Sequence, residues 1–296
     1  NLYFMKLTLF VLVTIVTTTC ASSRINSDSK SLEKLLNSGK DVFVENATFG
    51  ETIDFTSMVP SNPVSNGMRQ VRITSSVTFK NCTFEGDVLA FVEDGEGNRT
   101  YTTFQSNISF VNCTFKGKAH FRACSVGGRT LFTGSYFETE ANFEECSFAQ
   151  NAYFNRCIFH EELRFQNAFF MQRITFMDAE FDDNASFQGV TFNATAQFSN
   201  TKYAGYADFS MVSWNGACFF NYAELSERSV FNNSFFSKKA EFISVAFGHT
   251  EMMHCRFYGG ASFMNARIER QLLLDDCFFL LGQPDLSFFE QDKISL

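Results

Sequence analysis

The 296-residue chain carries 24 Lys and Arg against 32 Asp and Glu, and a net charge of -8 makes it a poor general ligand for nucleic acid. It holds 40 Phe but 1 Trp and 3 Pro. No ordinary globular core needs such a bias, which points to a recurring position that always takes the same side chain.

Residues 1–23 read as a leading remnant and an export signal. Asn1–Phe4 precede a natural start at Met5, followed by Lys6, an apolar run from Leu7 to Val16 and small residues through Ser23. The run falls short of the ~20 apolar residues that span a bilayer. Cleavage after Ala21 is expected. Cys20 is a lipidation candidate, although Thr19 before it fits that rule poorly, and only lipidation there would tie the chain to a membrane. The expected location is outside the cytoplasm: periplasm, cell surface or medium.

Residues 24–75 are expected to form an N-terminal cap and a first irregular coil. A short helix is expected over Ser31–Ser38, with Ser31 as its N-cap and Glu33 and Lys34 outward, covering the open end that a solenoid must protect. Ala47-Thr48-Phe49 and Ile53-Asp54-Phe55 read as an incomplete first coil, and Ser57–Asn66, with Pro60 and Pro63, as a surface loop.

Residues 76–279 are the repeat. Ala141-Asn142-Phe143, Cys146-Ser147-Phe148, Ala152-Tyr153-Phe154 and Cys157-Ile158-Phe159 share one unit: a small residue, any residue, then Phe. Steps between Phe positions alternate five and six, whereas helical stripes recur at three and four. Small residue and Phe lie two apart, so on a strand both point inward. Four such sides close a coil of 22 residues and sort the aromatics into four ladders. The first runs Phe121, Phe143, Phe165 onward, the second Val126, Phe148, Phe170, the third Phe132, Phe154, Phe176, and the fourth Phe137, Phe159, Phe181. Val77–Phe84 matches Ile108–Phe115 at an offset of 31, which places a nine-residue insertion within 85–103, where Asp94–Asn98 supplies a turn. One residue is missing near Met252. Residues 280–296 are expected to cap the far end.

These units resemble the pentapeptide-repeat family in a Phe-rich variant. The resemblance covers roughly Ser76 to Phe279 and implies an all-β fold: a single-stranded, right-handed quadrilateral parallel β-helix of about 22 residues per coil, with a short N-terminal helix cap. Acidic members of that family bind DNA gyrase, so mimicry of DNA by an inhibitor of a topoisomerase-like enzyme is one reading of the chain.

An enzyme needs convergent polar groups, and here the inward slots are apolar or small. His120, His160, His249 and His254 are scattered, and no HExxH, GxSxG or P-loop occurs. No catalytic residue, cofactor or metal site is assigned. The corner after the fourth ladder carries Glu138, Glu140, Glu161, Glu162, Asp182 and Asp183, flanked by Glu180 and Glu224, which together make an acidic ridge. A solvated edge is the plain reading; calcium binding lacks a Gly-rich loop. Phe169, Phe235 and Phe278 share an outer face and form a candidate apolar interface, for a second copy or a ligand, broken by Ser147, Thr191 and Ser213.

The eight cysteines after the leader all occupy the small inward slot, where Cys replaces Ala as a buried group. Three pairs stack one coil apart: Cys82 with Cys113, Cys124 with Cys146, and Cys255 with Cys277. Export would permit disulfides there, and ~4.8 Å between coils satisfies the Cα distance, but parallel side-chain vectors strain the torsion. No CxxC zinc pair occurs. Eight N-x-S/T sequons read first as corner asparagines. The leading functional expectation is an exported, non-catalytic scaffold or partner-binding rod whose partner is a protein or surface glycan, with no direct contact to nucleic acid; a glycan-active β-helix is the other alternative.

Overall fold

The computed structural model describes residues 28–65 and 67–296; the leader and Cys20 lie outside the described residues. Most strands are two residues long, because each coil side needs only an inward small residue, an outward residue and an inward aromatic. Each pairs in parallel with the strand one coil on, as in Ala152↔Ile174 and Tyr153↔Thr175. The result is an all-β solenoid of about 9 turns of ~22 residues. The third-ladder face is a 10-stranded sheet and the second-ladder face a 12-stranded one. The first and fourth faces merge into an 18-stranded sheet, because Glu224–Val230, Ala246–Glu251 and Arg267–Leu273 run straight around their shared corner.

The alternation of five and six has a backbone cause. The five-step corners, after the first and third ladders, are tight turns closed by an i to i+3 bond, such as Cys124 N–H to the Phe121 carbonyl at 3.1 Å. The third turn residue is left-handed: φ is 54° at Ala123, 58° at Glu145 and 57° at Met211. This is the type II geometry that glycine or asparagine usually supplies. Gly134 and Gly189 supply it at two corners, Asn167 and Asn200 at two others. The six-step corners use one more residue instead. Strand amides of the first and third faces donate to the next coil (Phe154 N–H to the Thr175 carbonyl, 2.8 Å). Those of the second and fourth donate to the previous one (His160 N–H to the Phe137 carbonyl, 2.9 Å).

The interior is a stack of rings. Along the third ladder, neighbouring rings lie nearly parallel with centroids 4.9 to 5.3 Å apart, from Phe198–Phe220 to Phe220–Phe242. First-ladder rings meet them edge-on from the opposite face, as Phe165 does Phe154 at 5.3 Å and 89°. Both arrangements suit the aromatic quadrupole. The four ladders are buried from Phe121 to Phe247. Several polar atoms are buried without a hydrogen-bond partner among the described residues, the Tyr203 hydroxyl and Trp214 Nε1 within the ring stack and the Thr102 and Thr130 hydroxyls in the small slots. Burial pushes the Tyr203 phenol well above its usual value. Tyr203→Phe removes the orphan oxygen while keeping the ring stacked 4.5 Å over Phe181. It should raise stability by about 1–2 kcal/mol in denaturant titration; a loss of similar size would mean that the hydroxyl has a partner.

Both ends are closed. Helix α1 (Ser29–Asn37) buries Leu32 and Leu36 over the first coil and turns Glu33 and Lys34 outward. Its N-cap is Asp28, not Ser31: the Asp28 carboxylate accepts the Ser31 amide at 2.7 Å. At the other end Leu286, Phe289 and Ile294 pack on the last coil, and Ile294–Ser295 pairs with Leu272–Leu273.

Three irregularities differ from expectation. The first coil is complete, since Val42–Glu45 pairs with Val77–Lys80 and Val44 fills the slot that Phe79 fills one coil later. Ser57–Asn66 is not simply a loop: Phe55–Met58 form a helical turn and Ser61–Ser65 a strand antiparallel to Met68–Ile73. The missing residue lies between Phe247 and His249. There Leu225↔Phe247 is offset by 22 and Arg228↔His249 by 21, so Gly248 alone turns the corner, upstream of Met252.

Candidate binding surfaces

With the interior filled, chemistry is confined to outer columns, corners and ends. The largest departure from the repeat is a flap at the corner between the first and second faces. The nine extra residues of the second coil form a hairpin, with Phe91–Glu93 antiparallel to Arg99–Phe104. The first coil inserts at the same corner, and its strand Met68–Ile73 pairs in parallel with Arg99–Phe104. Four strands thus stand out from the N-terminal coils, with Ser61–Ser65 at the free edge. Pro63 and the exposed Val64 sit on that edge, and proline blunts it against further pairing. At the base, Phe91 is buried against His120 at 5.3 Å, beneath the Arg122 guanidinium at 5.4 Å. Burial holds the His120 imidazole below its usual pKa. A groove of about 380 Å³ crosses the flap, lined by Pro63, Met68, Arg69, Val92, Asp94 and Thr100 among others. The hairpin tip is fixed by Asp94, whose carboxylate accepts from the Glu96 and Asn98 amides and the Asn98 side chain. The Asn98 side-chain bond leads the forces holding that carboxyl below its ordinary range. The flap's strands and groove had no counterpart in the sequence reading.

The ridge residues do fall in one place. Glu138 and Glu140, Glu161 and Glu162, and Asp182 and Asp183 occupy the fourth-to-first corner of three successive coils, with Glu180 and Glu224 on the adjoining outer column. Basic side chains stand among them. Arg164 bonds Glu140 at 3.0 Å and Glu162 more closely, Lys202 bonds Glu180 at 3.0 Å, and His160 reaches Asp182 at 3.1 Å. The Glu162 bond raises the Arg164 pKa further. Among the described residues Glu138, Glu161, Asp183 and Glu224 make no ion pair.

Further along the same corner Glu251 is almost fully buried. Burial opposes its ionisation, but bonds from Arg228, Asn232 and His249 outweigh it and hold the carboxyl below its usual range.

The apolar trio divides. Phe235 and Phe278 lie in one column with Arg256 between them, bridged by Tyr258 at 5.0 and 5.9 Å. Phe169 lies in the same column three coils from Phe235, flanked by Ser147 and Thr191. At the C-terminal end Phe288, Met264 and Pro284 line a groove of about 420 Å³.

No two of these eight cysteines are joined in the structure. Seven occupy the slot directly after the left-handed turn residue, Cys218 being the exception. There the side chain can donate to the carbonyl of the inward residue one coil back, as Cys157 does to Phe132 at 2.9 Å. Ser135 and Ser234 do the same with Phe110 and Phe209. The slot takes either a small apolar residue, as at Ala168, Val190 and Val212, or a small donor, and as a donor cysteine acts as a larger serine. Burial pushes the Cys157 thiol up to about 12. Contact with the Cys113 thiol lowers Cys82 to about 7, and Cys113 moves the other way. Cys157→Ser should keep the bond and change stability by less than ~1 kcal/mol, whereas Cys157→Val should cost more, because it leaves that carbonyl with one donor fewer.

Among the described residues no group of three or more His, Cys, Asp or Glu is placed to hold a metal ion, and no helix is long and apolar enough to cross a membrane.

Comparison with known proteins gives one result. Residues 132–179 match the family model described as pentapeptide repeats, nine copies. That segment lies inside the regular coils, and the same geometry continues on both sides of it. No curated protein and no solved structure matches the chain.

Proposed function

We propose, from the premise that this chain is a pentapeptide-repeat protein, that it works as a non-catalytic scaffold that presents its outer faces to a partner. The observation that carries this reading is the closed interior. Stacked rings fill the coil from Phe79 to Phe263, so specificity must reside on columns whose spacing the backbone fixes at ~4.8 Å. A rigid lattice of outward side chains is suited to recognition of an extended surface. The apolar run Leu7–Val16 supports a partner met after export. The cations within the ridge break the uniform negative stripe that mimicry of DNA would need, which favours the scaffold over the topoisomerase inhibitor.

The test has two arms on purified residues 24–296. Incubation with a polysaccharide panel should yield no cleavage products; cleavage lost in Glu161→Gln or Asp182→Asn would replace the scaffold with an enzyme. Crosslinking in an envelope or extracellular fraction should recover a partner through outward residues, and recovery of a topoisomerase would favour the inhibitor.

A further inference from the structure

Charge is segregated around the rod. The second face and the six-step corner after it span ten coil segments, from 71–76 and 102–107 through 124–129 to 277–282. None of them contains an Asp or Glu. They do contain Arg72, Arg129, Arg173, Lys238, Lys239 and Arg256. Of these only Lys239 makes an ion pair among the described residues, with Glu241 at 2.7 Å. A chain of net charge -8 thus has one side that carries six cations, set in five of its ten segments, and no carboxylate. Diagonally across the quadrilateral section lies the fourth-to-first corner, with six carboxylates in the three consecutive triplets 138–140, 160–162 and 182–184. The cationic side also exposes Met171 and part of Phe169, level with those triplets.

We infer that the partner of the cationic side is the acidic corner of a second copy of this chain. Opposite charges on diagonal edges mean that a copy shifted sideways without rotation brings its Glu138 and Glu140 level with Arg129 and its Asp182 and Asp183 level with Arg173, each to within about half a coil. The coil spacing is common to both rods, so the two-coil interval from Arg129 to Arg173 matches that from Glu138 to Asp182, while Glu161 and Glu162 face the neutral corner Ala149–Asn151. Such a contact uses two different patches and does not close, so it propagates into a lateral row of rods. Complementary potentials of this kind set partner and register, and like-charge juxtaposition disfavours the alternative in which two acidic corners meet. This deepens the scaffold reading by naming the partner, and it rests on that reading.

The experiment is sedimentation velocity at about 10 mM and about 1 M salt, where the screening length falls from about 30 Å to about 3 Å. The wild type should form concentration-dependent species larger than a monomer at low salt and be monomeric at high salt. Arg129→Glu with Arg173→Glu, both at exposed positions, should weaken association about 10-fold or more, as should Glu138→Lys with Asp183→Lys. An equimolar mixture of the two double variants should restore it, because each reversed edge then meets its new complement. Circular dichroism should show both variants folded. A wild type monomeric at low salt, or variants that associate as it does, would overturn the inference. So would a monomer that is instead retained on nucleic acid or anionic vesicles through Arg129 and Arg173. Each of those outcomes leaves the scaffold reading standing, since another partner could still be crosslinked to the outer faces.

Discussion

Phe176→Ala should destabilise the protein by about 3–5 kcal/mol. The ring is fully buried at mid-rod and stacks on Phe154 and Phe198 at 5.0 and 5.1 Å. Phe165 and Phe187 meet it edge-on at 5.7 and 5.3 Å. Truncation leaves a void that neighbours cannot fill, since each is held by its own two-residue strand at a fixed coil height. The loss should appear in denaturant unfolding as a lower midpoint. A one-dimensional solenoid couples only nearest neighbours, so the same change should also broaden the transition as the coils on either side separate. Phe176→Leu keeps most of the volume and should cost less than half as much. Equal losses for Ala and Leu would mean that ring stacking, not volume, sets the stability of the core.

The second large effect is expected at the N-terminal cap. Leu32 is wholly buried in α1 against the first coil, and Leu32→Asp places an unpaired carboxylate there. A cost of about 3 kcal/mol or more follows, enough to detach a nine-residue helix. The helix is otherwise held by the Asp28 cap, by Ser29, which donates to Glu51 at 2.7 and 2.9 Å, and by Asn37, which donates to the Met58 carbonyl at 2.6 Å. Its release exposes the apolar end of the stack at Val42, Val44 and Phe49. Size-exclusion chromatography should then show aggregation, and hydrogen exchange should show loss of protection over Val42–Phe49 with the middle coils unchanged. Retention of that protection would mean the first coil is stable without its cap. Glu33→Ala, on the exposed side of the same helix, should do neither.

The regular coils were legible because one slot in each side accepts almost nothing but Phe, and a period of 22 survives any drift of the outward residues. The five-step corners were legible as spacing but not as geometry. Ala123, Glu145, Met211 and Tyr222 carry no sign of a left-handed backbone, and stacking between coils imposes it on them. The flap was hidden because its strands pair with each other rather than with the repeat, and Pro60 and Pro63 read as a loop. The deletion shows in the sequence at Met252, the first core position out of phase, and only the register places the absent residue at the corner of Gly248. The ridge was visible since acidic pairs recur at 22. Its cations were not, because Arg164 and Lys202 sit on outward columns that meet the ridge only once the coil is closed. Cysteine read as a small apolar filler; its bond to the carbonyl one coil back depends on the turn and could not be seen from spacing.

The most direct test of a single aromatic stack that leaves function to the outer faces is native-state hydrogen exchange read at single residues. The amides of Phe143, Phe154, Phe165, Phe176 and Phe187, each bonded to the neighbouring coil, should exchange slowest and together. Protection should fall gradually toward Val42 and Phe279 and be least in the flap tip at Asp94–Asn98. Fast exchange anywhere between Phe143 and Phe187 would contradict it, because a closed stack has no opening there for solvent or substrate to enter.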